Sequence, residues 1–297
     1  MNPKLYLAAL AVLLPVAAAA QPAETPAPSA SGAWETGHFS LIPRSFQSDP
    51  RLDVIIHTDF TAEGAQQPQA SLADPVYYTG SDGGLVNVGE IIAGERVPAA
   101  SELAKILVAA LHESGFKPSD AAHPPTVFIH YRWGSFNRLE PLGGGRDDLD
   151  YANFLERAAL VGGTKFAITV AQDINAGTLD FFENSNPRVN FLVQEARDNR
   201  YFIIASAYDY AAALEGKVRL LWSTKISTNS RGVMMNESLP QLVASAAPYF
   251  GHPTPEPVRL NRPVVKPGQV TIGTLTIKEM LPPDENLAPP PAAKSTP

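Results

Sequence analysis

The residues best placed to do chemistry come in pairs two apart within β-rich runs. His57 and Asp59 lie in residues 53–60 (DVIIHTDF), and His130 and Arg132 lie in residues 126–133 (TVFIHYRW). Side chains two apart on a strand point to the same face, so each pair is presented together. A third run, residues 218–226 (VRLLWSTKI), puts Arg219, Ser223 and Lys225 on the face opposite Trp222. A His–Asp pair is competent as acid and base. No nucleophile or pocket motif accompanies it, so no catalytic residue is assigned. His57, Asp59, His130, Arg132, Arg219 and Lys225 are read instead as a candidate binding surface. The competing reading is a sheet with one wet face, partly covered by a helical insertion. The same face is expected to carry Ile55, Phe128, Ile203 and Leu221.

A second candidate is the segment GGGRDDLD at residues 143–150. Asp147, Asp148 and Asp150 are hard oxygen ligands on a glycine-rich loop, which suits calcium. The alternating ligands and closing glutamate of an EF-hand loop are missing, and Arg146 competes with a cation. The plainer role for these acids is at a helix N-terminus, where negative charge is favourable. The chain has no Gly-x-Ser-x-Gly elbow, no His-Glu-x-x-His pair and no Gly-x-x-x-x-Gly-Lys loop. It also has no cysteine, which removes disulfides, thiolate metal sites and thiol nucleophiles. No cofactor is expected.

Several elements must hold these residues. Leu103, Ile106, Leu107, Ala110 and Leu111 form one helical stripe, and Gly115 with Phe116 fits a Schellman ending. Residues 75–78 are a weak strand before the turn-rich stretch 80–84. Tyr151, Phe154, Leu155 and Ala158 form a stripe that ends at Gly162-Gly163. Residues 164–174 fit either a strand or a helix. Asn186-Pro187 is a cap followed by a first-turn proline, and Val189, Leu192, Val193 and Ala196 continue that helix. Residues 201–208 and 218–226 read as antiparallel neighbours. Ser238 and Gln241 make a capping box for a helix with Leu239, Leu242, Val243 and Ala246 on its stripe. Residues 270–277 read as an edge strand. Trp133 and Trp222 are expected in the core. The fold class is therefore α+β, a two-layer α/β sandwich with a small, mostly antiparallel sheet and a helical insertion over residues 135–199.

Composition bounds the rest. The chain has 297 residues, 44% hydrophobic and 18% charged, with a formal charge of -7, which argues against a nucleic-acid partner. Residues 1–20 have the three parts of a secretory signal, with Lys4, an apolar run and Ala18-Ala19-Ala20 before the cleavage point. The apolar run is too short to span a membrane, which takes roughly 20 residues. Residues 21–33 read as a Pro/Ala-rich linker, 34–281 as one domain, and 282–297 as a Pro-rich disordered tail. No transmembrane span remains after cleavage, and the expected location is periplasmic or secreted.

The helix SELAKILVAALHESGF, the strand PPTVFIHYRWG, the hairpin FIIASAYDY with GKVRLLWSTKIS, and the helix SLPQLVASAAPYFG resemble exported bacterial envelope families of unknown function. Their pattern is similar to the N-terminal α/β domain of the TolB envelope protein. The resemblance implies an envelope-associated protein without enzymatic activity, and it carries over no catalytic residue. The leading expectation is a non-enzymatic exported protein acting as an interaction or assembly module, with an envelope protein as partner. Two alternatives stay open. One is a carboxylate-dependent, carbohydrate-active hydrolase using Asp59, Asp147 or Asp148. The other is a small-ligand carrier with an apolar pocket under the insertion. The oligomeric state is left undetermined.

Overall fold

The computed structural model describes residues 51–89, 94–138, 147–177 and 186–263, with the side chains of 147–150 excepted. The leader, the linker, Trp34, the run 270–277 and the tail lie outside the described residues. In chain order the strands are β1 (Arg51–Phe60), β2 (Val76–Val88), β3 (Phe116–Pro118), β4 (Val127–Phe136), β5 (Arg200–Asp209), β6 (Leu220–Asn229) and β7 (Val258–Pro263). The helices are α1 (Ala100–Glu113), α2 (Asp147–Ala176), α3 (Pro187–Arg197), α4 (Tyr210–Leu214) and α5 (Met235–Ala246). Among the described residues no helix is long and apolar enough to cross a membrane.

The strands form one seven-stranded sheet in the order β3-β2-β4-β5-β6-β1-β7. The β3/β2 and β2/β4 pairings are parallel, and the remaining four are antiparallel. The class is α+β. The small, mostly antiparallel sheet expected from sequence is corrected to a large mixed one. The glycine-rich stretch 80–84 is the main reason. It continues β2 alongside β4, with a register shift between Asp82 and Leu85. Gly84 takes φ +77 there, and its N–H donates to Asp82 Oδ1 at 2.7 Å. Pairing to a strand some fifty residues away thus overrides local turn chemistry and leaves a bulge.

The two-layer arrangement is also corrected, because helices pack on both faces. Leu103, Leu107 and Leu111 of α1 and Leu239, Leu242 and Val243 of α5 are buried against Val54, Ile56, Ile129, Ile203 and Trp222 on one face. Burying each such side chain stabilises by about 1.5–3 kcal/mol. Phe154, Ala158, Val161 and Val170 of α2 and Leu192, Val193 and Ala196 of α3 pack with Ile55 on the other face. The insertion is therefore helical, and residues 164–174 are helix. Ile203 and Leu221, expected on the α2 side, belong to the α1/α5 core. Residues 202–205 of β5 are buried on both faces, so parity carries no signal there, and the β5/β6 register shift at Ala207/Tyr208 passes over Leu221 and takes it out of alternation. The two expected core tryptophans, Trp133 and Trp222, are buried.

Local signals explain most element ends. Gly115 has φ +87, and its N–H donates to His112 O at 3.0 Å, closing α1 as expected, with Phe116 buried behind it. Asn186 caps α3 by accepting from the Arg188 N–H at 3.0 Å. Helix α5 begins earlier than the expected capping box. Met235 is buried in the core, so the helix starts there, and Ser238 Oγ donates back to Met234 O at 2.8 Å. Arg157 is buried and donates from Nε to Ala196 O at 2.7 Å, tying α2 to the end of α3.

Candidate functional site

The sheet register lines up polar side chains in a row across five strands. Ser81 of β2 pairs with His130 of β4, His130 with Ser206 of β5, Ser206 with Ser223 of β6, and Ser223 with Asp59 of β1. The neighbouring row runs Arg132, Ile204, Lys225, His57. Two links within the first row are hydrogen bonds: Ser81 Oγ with His130 Nδ1 at 3.0 Å, and Ser206 Oγ with Ser223 Oγ at 3.0 Å. His130 and Asp59 are three strands apart, about 14 Å at ~4.8 Å per strand, so they share a face without touching.

At the β1/β6 end the row is closed. His57 Nε2 donates to Asp59 Oδ1 at 3.0 Å. Asp59 Oδ2 accepts from the Thr164 N–H at 3.0 Å, from Thr164 Oγ1 at 2.9 Å and from Lys225 Nζ. The side chains of Lys225 and Asp59 are 12% and 24% exposed. Burial alone would raise the Asp59 carboxyl. The hydrogen bonds from His57 and Lys225, the Lys225 charge and the Thr164 amide outweigh it and hold the carboxyl well below the usual carboxylate range. On the other side of the imidazole, His57 Nδ1 lies 3.1 Å from Thr254 Oγ1, which itself accepts from the Thr58 N–H at 2.8 Å. The Thr254 hydroxyl proton is therefore free to reach Nδ1. With Nε2 as the donor to Asp59, Nδ1 faces the Thr254 hydroxyl and both ring nitrogens have partners, an assignment made from this network.

The lid over this end is a break in α2. Gly163 has φ 85 and ψ 172, so the helix stops and restarts at Thr164. The restarted segment exposes backbone N–H groups, and the Asp59 carboxylate answers them as an anion at a helix N-terminus. Gly163 also has no room for a side chain. A Cβ there would lie 2.2 Å from His57 Nε2 and 3.0 Å from Asp59 Oδ1.

Toward the β4 end no hydrogen bond ties the row to α2 among the described residues, and its surroundings are more exposed. Arg132 is exposed, and Phe128, His130, Ser206 and Tyr208 are half-buried. Phe128 pairs with Tyr208 across β4 and β5. Of the six candidate binding residues, the structure thus gathers His57, Asp59 and Lys225 under α2 and leaves His130 and Arg132 on the more exposed part. Arg219 joins neither group. It precedes β6, is exposed, and pairs with Asp209 at 3.4 Å.

Sequence reasoning missed Thr254, Gly163 and Thr164. Thr254 sits in a Pro-rich connection without periodicity, which offers no signal. The Gly-Gly-Thr run at 162–164 does carry one, since a glycine break followed by a threonine fits a helix restart. Asp147, Asp148 and Asp150 belong to the first turn of α2, with side chains outside the described residues. Among the described residues no cluster of three or more His, Cys, Asp or Glu side chains is placed to hold a metal ion. For acid–base work Asp59 is poorly placed, because both its oxygens are engaged by internal donors.

No family model and no curated protein matches the sequence. Among solved structures, the PelC dodecamer from Paraburkholderia phytofirmans is similar at 9% identity with a TM-score of 0.27, over 65% of this chain and 96% of that chain. A PDZ domain protein from Parabacteroides distasonis is similar at 12% identity with a TM-score of 0.35, over 71% of this chain and 39% of that chain. The chain therefore spans well under half the length of that second protein.

Proposed function

We propose that the protein is an exported, non-enzymatic envelope protein that works as an interaction or assembly module, meeting its partner at the more exposed half of the polar row. The observation that carries this is the exposed Arg132 beside half-buried Phe128, His130 and Tyr208 on a sheet face, while the other half of the same row is closed by α2. Arginine and aromatic side chains are enriched where protein interfaces concentrate their energy. The leader-like residues 1–20 support export to the periplasm or beyond. The resemblance of the sequence to TolB-type N-terminal domains supports the envelope as the place of work, with another envelope protein as the partner.

The test is site-specific photo-crosslinking in intact cells, with the photoreactive side chain placed at Tyr208 and, as a control, at exposed Leu214 on α4. A discrete crosslinked partner from Tyr208, lost on Arg132→Glu, supports the reading. A chain that crosslinks to nothing and turns over a polysaccharide overturns it.

A further inference from the structure

A groove opens between β2 and α1 where β3 leaves the sheet. It encloses about 370 Å³ and is lined by Leu107, Val108 and Leu111 of α1, Ile129 and Tyr131 of β4, and residues 78–82 of β2. That volume lies within the range of ligand sites. It faces the α1 side of the sheet, opposite Arg132, so it is a separate surface from the one proposed above.

Three features of the groove point to a ligand. The first is an open sheet edge. The Val76 N–H donates to Gly115 O at 3.0 Å, and the Ser119 N–H donates to Tyr78 O at 2.8 Å, so β3 pairs with the even-numbered residues of β2. Strand β3 ends at Pro118, and the chain turns away through reciprocal Asp120 and His123 backbone bonds. By alternation the next backbone groups on that edge belong to Gly80 and Asp82. Both residues are exposed, and no described strand lies beside them. The second feature is the Tyr78 hydroxyl. Tyr78 is 7% exposed and lines the groove, yet its oxygen is buried without a hydrogen-bond partner among the described residues. A buried hydroxyl without a partner is uncommon in native proteins. Burial pushes this group up to about 12, so it stays protonated and able to donate. The third is Val108, an aliphatic side chain 43% exposed on the groove wall.

We infer that the groove takes an extended, aliphatic peptide segment of a partner protein, added to the sheet in line with β3. Its backbone pairs with Gly80 and Asp82, one aliphatic side chain enters between α1 and β4, and the Tyr78 ring turns out of its buried position so that its hydroxyl donates to a backbone carbonyl. The added strand continues an existing ladder, so its register is set by β3. Donors and acceptors repeating every second residue call for an extended backbone, which a compact small molecule does not offer. The exposed Asp82 carboxylate at the far end favours a cationic residue in the peptide.

The test uses ¹⁵N-labelled full chain and a synthetic nonapeptide of alternating valine and threonine with lysine at both ends. Two versions are N-methylated on alternate residues, each blocking one of the two edges. The expected result is amide shifts confined to Gly80, Asp82, Leu107 and Val108, with one methylated version binding and the other not. Val108→Asp should weaken binding at least tenfold and Tyr78→Phe about threefold, each with unchanged circular dichroism. Arg132→Glu should leave it unchanged, which separates this site from the interaction face. No shifts at millimolar peptide, equal binding of both methylated versions, or concentration-dependent protection of Gly80 by a second copy of the chain would overturn it.

Discussion

Thr164 donates both its backbone N–H and its hydroxyl to one oxygen of Asp59, at 3.0 and 2.9 Å, across 105 residues of sequence. A strand carboxylate thus serves as the cap of a helix restarted inside the insertion. The same oxygen holds Lys225, and the other oxygen holds His57. The arrangement ties β1, β6 and α2 together at one carboxyl group.

Asp59→Asn should lower unfolding free energy by about 2–3 kcal/mol, because it leaves the Lys225 ammonium largely buried without its counter-charge. Urea denaturation measures this. Adding Lys225→Met should recover part of the loss, since a well-packed apolar side chain replaces an orphaned charge. A double variant weaker than Asp59→Asn alone would contradict the ion-pair account.

The pH dependence has a definite sign. Asp59 ionises more readily in the folded protein than in the unfolded chain, so its contribution is present above the unfolded value of roughly 4. It is lost as pH falls below that value toward the depressed folded one. The stability gap between wild type and Asp59→Asn should therefore be constant near neutrality and shrink below about pH 4. Denaturation curves at a series of pH values check it, and a gap that widens on acidification would refute it.

Gly163→Ala meets two obstacles, a φ of 85 and a Cβ position 2.2 Å from His57 Nε2. The backbone conformation, with ψ 172 as well, is one essentially reserved for glycine and costs about 1–3 kcal/mol, and displacement of His57 adds to it. The combination Gly163→Ala with His57→Ala should relieve the closest contact and retain the backbone strain together with the 3.0 Å approach to Asp59 Oδ1. Thermal denaturation of the two single variants and the double variant closes the cycle.

Arg132→Glu lies on an exposed strand position and should change stability by no more than ~0.5 kcal/mol. It should still abolish the Tyr208 crosslink. Equal losses of stability and of crosslinking would assign Arg132 to the fold instead of to a partner.

Strands β1, β4, β5 and β6 and the apolar stripes of α1, α3 and α5 were legible in the sequence, because strand alternation and helical spacing are local properties. The same alternation put His57 with Asp59 and His130 with Arg132 on shared faces before any partner strand was known. Other features needed distant partners. The glycines at 80–84 become strand only when β4 is beside them, and the short, proline-bounded β7 exists only as an edge on β1. The division of the polar row into closed and more exposed halves depends on where α2 lands. An apolar helix stripe specifies that a face is buried, but not against which sheet face. That choice was made by Gly163, which lets the chain pass close over His57, and by the Asp59 carboxylate that meets Thr164 there.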